Sequence, residues 1–350
     1  MSRLYLAAVE EKAGKTSLAV GLARALRRRG LSAVYRKPVG WASIYRQGRP
    51  CDRDAGVVAE ALELADAPET LVPVLGGDIP RAWKPPEGAW PRIEAAVDVE
   101  ADVLVLEGRQ WLGRGLLSGL SDMAVAARLH APMALVARYQ GEATLDRLLA
   151  AVRLVGEEAP LVGAILNEVS ADSELEEVRD FVIPFLEERG VPVVGAISFD
   201  RRLRTVRLQE VLDALGGEVV VQGDPSAEVE RFLIGAMGGE AALRYLRRIP
   251  GQLAVVTGGD RADIQAAALT SPRVRALILS GGLRPERAVL ARAADRGVTV
   301  AVVPQDTMTA AETAEHLVGR VPLAGESQLA IVDQLVSEGV QLDRLLELLG

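Results

Sequence analysis

The chain has a single cysteine, Cys51, in 350 residues. No disulfide can form within it, and a cysteine-based metal centre is not expected. Histidine is almost as scarce. His130 and His316 are far apart and neither has a ligand partner nearby in sequence, so neither a histidine metal site nor a Ser-His-Asp relay is expected. No apolar run approaches the roughly 18 residues that a membrane helix needs. The first segment, MSRLYLAAVEEKAGKT, turns polar at Glu10 before any long apolar stretch develops, which predicts no signal peptide and a cytoplasmic location. Long runs of like charge are missing, as is any solenoid-type repeat. The net charge of −8 is the opposite of the basic footprint of a nucleic-acid binder. Neither nucleic acid nor membrane is therefore expected as a partner. A small anionic ligand stays compatible, because a few well-placed groups suffice to hold one.

What is present is ordinary for a globular protein, with 49% hydrophobic and 25% charged residues. The length exceeds one comfortable core and predicts two domains. Short β-branched runs alternate with helical patterns. Strands are expected at Leu4–Ala8, Ala33–Arg36, Val103–Leu106, Met133–Ala137, Gly163–Leu166 and Val193–Ile197, and helices at Lys15–Arg29, Asp54–Leu64, Ser121–Leu129, Thr144–Val155 and Ser173–Glu188. Strands apolar on both faces, separated by helices, predict a covered parallel sheet built from βαβ units. Near residue 200 the pattern resets, and a second alternation follows: helix Gly239–Arg248, strand Leu253–Thr257, helix Ala262–Leu269, strand Ala276–Leu279, helix Arg284–Asp295, strand Thr299–Val303 and helix Ala310–Val318. Gln328–Leu349 reads as one or two closing helices that either cap a core or join two subunits. The expected division is 1–202, 203–325 and a helical segment 326–350.

The strongest motif is Ala13-Gly14-Lys15-Thr16, placed between the first strand and the first helix. Backbone N–H groups at such a helix start face phosphate oxygens, helped by the helix dipole. Lys15 supplies a point charge for the β/γ oxygens and Thr16 a hydroxyl for Mg²⁺. Residues Glu11 to Ser17, that is Glu11, Lys12, Ala13, Gly14, Lys15, Thr16 and Ser17, are the expected nucleotide contacts. The usual leading glycine is absent, and Glu10-Glu11-Lys12 is an unusual interior for such a loop. The alternative is an ordinary helix N-terminus with an exposed lysine.

Other residues at strand ends fit the same crevice. Lys37 would add a second positive charge near the γ-phosphate, or is simply a solvated lysine. Asp52 and Asp54 open the next helix, where a carboxylate either binds Mg²⁺ or caps the helix. Glu107 ends the apolar run Val103–Leu106, the position of an acidic Mg²⁺ ligand. Asn167 ends another strand and either reads a purine edge or forms a turn. Trp83, Trp90 and Trp111 either line the crevice or pack. In the second half, Thr257-Gly258-Gly259-Asp260-Arg261 is either a second anion site or a capped strand–turn–helix.

In order, YLAAVEEKAGKTSLAVGLARAL, YRKPVGW, DRDAGVVAEAL, VLVLEG, GLSDMAVAARL, ILNEV and VPVVGAI resemble the dethiobiotin-synthetase-like P-loop proteins over about residues 1–200. That resemblance implies ATP and Mg²⁺ as cofactors. It implies phosphate and Mg²⁺ roles for Lys15 and Thr16, a γ-phosphate role for Lys37, Mg²⁺ binding by Asp54 and Glu107, and base recognition by Asn167. Lys15 and Lys37 are the implied catalytic pair, and a homodimer is the implied assembly. The segments GAMGGEAALRYLRRIPGQLAVVTGGDRADIQAAAL and ALILSGGLRPERAVLARAADRGVTVAVVPQDTMTAAE resemble a DRTGG domain. Together the two resemble the N-terminal regulatory portion of long phosphate acetyltransferases, without the acetyltransferase domain. The expected fold is therefore α/β, a parallel-sheet P-loop domain followed by a smaller α/β DRTGG domain. The turn Glu107-Gly108-Arg109-Gln110-Trp111 departs from the glycine-rich EGAGG of dethiobiotin synthetases, and Pro80–Pro91 has no match to their substrate segment. The expected function is a nucleotide-responsive regulatory module binding adenine nucleotide and an unidentified small molecule or protein. The alternative is an ATP-dependent ligase that phosphorylates a carboxylate-type substrate.

Overall fold

The computed structural model describes residues 1–350 except 42–43, 47–48, 77–83, 157, 171, 318–322 and 324–325. It divides into two compact units, residues 1–200 with 323–350, and residues 201–322.

The first unit is built on six strands: β1 (Ser2–Ala8), β2 (Ala33–Arg36), β3 (Val103–Glu107), β4 (Met133–Arg138), β5 (Leu161–Val169) and β6 (Val193–Ser198). All pairings are parallel, in the order β6-β5-β4-β1-β3-β2. The expected strands are present within a few residues of their predicted ends. The register places Leu6 beside Glu107 and Ala8 beside Val136. From β1 the chain crosses to β2 on one side, returns to β3, and then takes β4 on the other side of β1. That reversal opens a crevice at the carboxyl end of β1.

The helix Lys15–Arg28 is rich in Ala, Leu and Arg, good helix formers. Its residues from Leu18 to Leu26 are nearly all buried because both sides are covered. One side lies on the sheet and the other takes the C-terminal helix Glu326–Gly339. A Cβ on Gly21 would fall 2.5 Å from Val336 Cγ2 and 2.9 Å from Val332 Cγ1, so only glycine allows this approach. Asp333 receives Arg24 at 2.9 Å and Arg28 at 2.6 Å beside that contact. The C-terminal residues thus cover the first unit. The segment Ser173–Glu188 is not one regular helix. A π-helical stretch, Val178–Val182, separates Asp172–Glu177 from Ile183–Glu187.

In the second unit the strands are β7 (Glu218–Val221), β8 (Arg231–Ile234), β9 (Leu253–Gly258), β10 (Val274–Ser280) and β11 (Thr299–Val302), in the order β7-β11-β10-β9-β8. β8 to β11 are parallel and β7 is an antiparallel edge. Alternation along β9 builds two cores. Ala254 and Val256 face the core shared with Leu208–Leu215 and Thr307–Leu317, whereas Leu253 and Val255 face the core of Gly239–Leu246, Ala262–Ala268 and Arg287–Asp295. Among the described residues no helix is long and apolar enough to cross a membrane.

Candidate nucleotide site

The chain leaves β1 at Ala8, and Val9 N–H still donates to Val136 O at 3.1 Å. The loop then turns through Lys12, held at φ 60, and Gly14, at φ 88. A positive φ on a lysine is uncommon and marks a constrained turn. The helix after Gly14 has no side-chain cap and no acid in its first turn. Its first intrahelical bond is Leu18 N–H to Gly14 O, so the earlier N–H groups are the orphan donors that an anion satisfies.

The acidic loop interior has a structural resolution. Glu10 turns out of the loop: its carboxylate accepts Arg138 N–H at 2.6 Å and pairs with Arg147 at 2.9 Å. Glu11 and Lys12 are exposed, Ala13 is buried, and the buried Ser17 Oγ has no hydrogen-bond partner. Asn167 donates its Nδ2 to Ala13 O at 2.9 Å, and a Cβ on Gly14 would lie 2.2 Å from that nitrogen. The amide therefore buttresses the loop from the end of β5.

Behind the loop lies a buried charge cluster. Lys15 Nζ rests on Gln110 O at 3.3 Å, and Thr16 Oγ1 donates to Glu107 Oε1 at 2.8 Å. The other Glu107 oxygen accepts Tyr35 O–H at 2.7 Å. Lys37 lies 3.1 Å from Asp52, 3.3 Å from Asp54 and 3.8 Å from Glu107. Asp52 is the helix cap, accepting Ala55 N–H at 3.0 Å and Trp41 N–H at 2.8 Å. That leaves Asp54, half exposed, as the acid that faces outward from the same turn. Lys15, Thr16, Lys37, Asp54 and Glu107 are thus brought together.

The electrostatics follow from burial and proximity. Burial draws the Lys15 ammonium down, against the attraction of Glu107 and Asp122. Burial acts on Lys37 in the same sense, but Glu107, Asp52 and Asp54 outweigh it and hold that ammonium above its ordinary range. Burial also raises the Glu107 carboxyl, although Lys37 and Lys15 oppose the shift.

Asp122 was missed in the sequence. It is fully buried and accepts Tyr5 O–H at 3.1 Å and Arg109 N–H at 2.8 Å, while its Oδ2 has no partner. Burial pushes its carboxyl up to about 6. The available signal was the pair Ser121-Asp122. Ser121 caps the helix by accepting Ala124 N–H, so the next acid is not needed as the cap.

The cluster suits a hard cation. Two ammonium groups, Lys15 and Lys37, and the Arg109 guanidinium face four carboxylates, Asp52, Asp54, Glu107 and Asp122, leaving it one positive charge short. Among the described residues no three His, Cys, Asp or Glu side chains form an all-protein metal cage. Mg²⁺ does not require one, since it takes one or two protein oxygens and completes its shell with water and phosphate. Trp90 is half-buried beneath Arg128, Trp111 is 38% exposed, and Trp83 lies outside the described residues. His130 is exposed, and the side chain of His316 is outside the described set.

In the second unit Arg261 pairs with Asp263 at 3.1 Å and donates to Met237 O at 3.0 Å. That engagement speaks against an anion site, and the helix Ala262–Ala268 starts at Arg261 without the side-chain cap expected of this turn.

A family model described as an AAA domain matches residues 2–207, and a DRTGG-domain model matches residues 210–317. A phosphate acetyltransferase of Deinococcus radiodurans is 26% identical over 342 residues, covering 92% of this chain and 47% of that protein. The hydrogenobyrinate a,c-diamide synthase of Thermobifida fusca is 29% identical over 255 residues, covering 66% of this chain and 48% of that protein. The chain spans about half the length of these curated relatives. Among solved structures, the CBS and DRTGG domains of the Clostridium perfringens pyrophosphatase regulatory region, complexed with diadenosine tetraphosphate, align with a TM-score of 0.30 at 18% identity. They cover 49% of this chain and 76% of that one.

Proposed function

The chain belongs to the AAA-domain family, and on that premise we propose that it is a Mg²⁺–ATP-binding regulatory module whose nucleotide occupancy is read out by the turn at residues 107–112. One observation carries the reading: an uncapped helix start presents Lys15 and Thr16 to Glu107 inside a cluster one positive charge short. The orphan N–H groups and Lys15 would bind the phosphates. Thr16, Glu107 and Asp54 would hold the cation, and Lys37 would stand next to the terminal phosphate. Bound Mg²⁺ would supply charge neutralisation of the phosphate oxygens.

The regulatory element of the reading has a structural basis in the same cluster. The 107–112 turn is tied to β1 through Gly108 N–H to Leu6 O and Leu112 N–H to Ala8 O, both 2.8 Å. It also supplies the carbonyl on which Lys15 rests. Phosphates that draw Lys15 away from Gln110 remove one of the ties on this turn. The phosphate acetyltransferase of Deinococcus radiodurans, aligned over 92% of this chain, adds support.

Calorimetry with ATP and ADP, with and without Mg²⁺, tests the proposal. Wild-type binding that needs Mg²⁺ and is lost in Lys15→Ala is the expected result, and an absence of binding by the wild type overturns it. ADP release stimulated by a carboxylate metabolite and abolished in Lys15→Ala would replace the regulatory reading with the ligase. Sedimentation with and without nucleotide tests the homodimer, and fractionation tests the cytoplasmic location.

A further inference from the structure

Counting back from Gly14-Lys15-Thr16, the leading glycine of a phosphate loop falls at Val9. The Val9 N–H is still held by the sheet, and three residues later the backbone reverses at Lys12, at φ 60. An L side chain at positive φ is strained, so the turn persists only if its surroundings hold it. The helix does not hold it, because the first intrahelical bond closes at Gly14 O. Two side-chain ties do. On one side of Lys12, Asn167 Nδ2 donates to Ala13 O at 2.9 Å. On the other, Glu10 Oε1 accepts Arg138 N–H at 2.6 Å, and Glu10 Oε2 lies 2.9 Å from Arg147 Nε. The strained residue thus sits between two anchors.

The partners of Glu10 are themselves fixed. The fully buried Thr144 donates to Arg138 O and accepts Gln140 N–H, both at 2.8 Å. Arg147 donates to Gln140 Oε1 at 3.1 Å, which sets its guanidinium against the start of the helix Glu142–Val155. Tyr139 N–H donates to Asn167 O at 2.8 Å, so the two anchors are joined behind the loop. The two contacts of Glu10 differ in strength. The bond from Arg138 N–H runs to a carboxylate and is charge-assisted. The Arg147 pair is weaker, because that guanidinium is 40% exposed and its N–H is not aligned on the oxygen. The Arg138 guanidinium turns elsewhere, to Glu168 at 3.9 Å.

We propose that Glu10 is a positioning residue for the phosphate loop: through Arg138 and Arg147 its carboxylate braces residues 9–14 in the shape that receives phosphate, where a leading glycine would supply conformational freedom instead. The inference rests on the nucleotide reading and adds to it a residue outside the expected contacts, Glu11 to Ser17. It carries a sign that simple electrostatics does not share. A carboxylate near polyphosphate repels it, so removing that charge alone should tighten binding. Losing the brace should weaken binding, because only the fraction of chains with the loop in place is competent.

The test is calorimetric titration of the full chain with Mg²⁺–ATP, well below the melting temperature of every variant. Glu10→Ala loses the acceptor and is expected to bind about five- to tenfold more weakly. Glu10→Gln drops the same charge but keeps an oxygen for Arg138 N–H, and is expected to stay within about twofold of the wild type. A contact that only stabilises the fold would lower the melting temperature of Glu10→Ala and leave the affinity of the folded chain unchanged, and that result overturns the proposal. Tighter binding by Glu10→Ala, or equal weakening in both variants, overturns it too. Circular dichroism checks folding. Should Glu10→Ala fail that check, Glu10→Asp, which keeps the charge but shortens the reach, takes its place with the same expected weakening. If the wild type binds no nucleotide, the nucleotide reading falls alone. The brace is then judged by amide hydrogen exchange of residues 9–14 in the free chain. Faster exchange in Glu10→Ala than in Glu10→Gln is expected, and exchange unchanged from the wild type overturns it.

Discussion

Replacing Lys37 with methionine isolates the charge balance of the cluster. Methionine keeps the length and apolar stem but removes the ammonium. Asp52 and Glu107, whose side chains are 3% and 2% exposed, then lose their shared buried cation. Asp54 contributes little to the loss, because its side chain is 49% exposed and water screens it. Removing one partner of a buried ion pair costs about 3–5 kcal/mol. For a unit of this size that converts to a melting temperature lower by roughly 10 °C. The sign of the pH dependence is fixed. Lys37 sits above its ordinary value of 10.5, so its contribution is complete below that value and is lost only at more alkaline pH. The wild type should show no loss from this group between neutrality and pH 9. Glu107 is already raised by burial, and the loss of Lys37 raises it further. The deficit of the variant is therefore full at neutral pH and shrinks as acid protonates Glu107. Thermal unfolding followed by circular dichroism at pH 7 and pH 5 measures both effects, and millimolar Mg²⁺ should restore part of the loss by replacing the missing cation. A variant that melts within about 2 °C of the wild type at pH 7 would refute the buried-cluster reasoning.

Three other perturbations have definite outcomes. Asp122, raised to about 6, contributes stability that is present below its ordinary 3.8 and is lost as pH rises through 6, on the order of 3 kcal/mol in all. Urea midpoints should fall across that window in the wild type and stay flatter in Asp122→Asn. Gly14→Ala forces a side chain into positive φ and against Asn167. It should abolish nucleotide binding and cost about 1–3 kcal/mol, measured by calorimetry and denaturation. Gly21→Leu drives a side chain into Val332 and Val336 and should cost about 1–3 kcal/mol by overpacking. Faster proteolysis within residues 326–350 would report the undocked helix, whereas Asp333→Ala, which breaks only partly exposed pairs, should cost less than about 1 kcal/mol.

The parts legible in the sequence were those governed by local chemistry. β1, the glycine turn and the helix from Lys15 follow one another with no interruption, and each strand of the first sheet is an apolar run long enough to be buried on both faces. What stayed hidden depended on distant residues. Glu10 looked misplaced beside phosphate because its partners, Arg138 and Arg147, lie more than a hundred residues along the chain. Asp52 and Asp54 were indistinguishable until Trp41 and Ala55 claimed the first of them. The edge strands β7 and β8 were missed because their residues are only half-buried and carry no strict alternation. The short pairing of Val39–Trp41 with Val74–Gly76 was missed because three residues make no pattern.

Topology explains why the candidate phosphate site lies in the first unit. There the strand order reverses at β1, so the connections leaving its carboxyl end diverge and a crevice remains between them. In the second unit β8, β9, β10 and β11 follow one another in space as in sequence, so no such divergence arises. Their successive helices, Gly239–Leu246, Ala262–Ala268 and Arg287–Asp295, share one face of the sheet. Adjacent strand-end turns can then close on each other, and they do. A Cβ on Gly259 would fall 2.1 Å from Leu283 O, and Ser280 Oγ lies 2.6 Å from Thr307 Oγ1 across the next pair of ends. Gly258-Gly259 resembles a phosphate-binding turn in sequence, but the Gly259 position is required by the close approach of two turns. The same residue type thus serves opposite ends in the two units: at Gly14 it shapes an open loop, and at Gly259 it closes one.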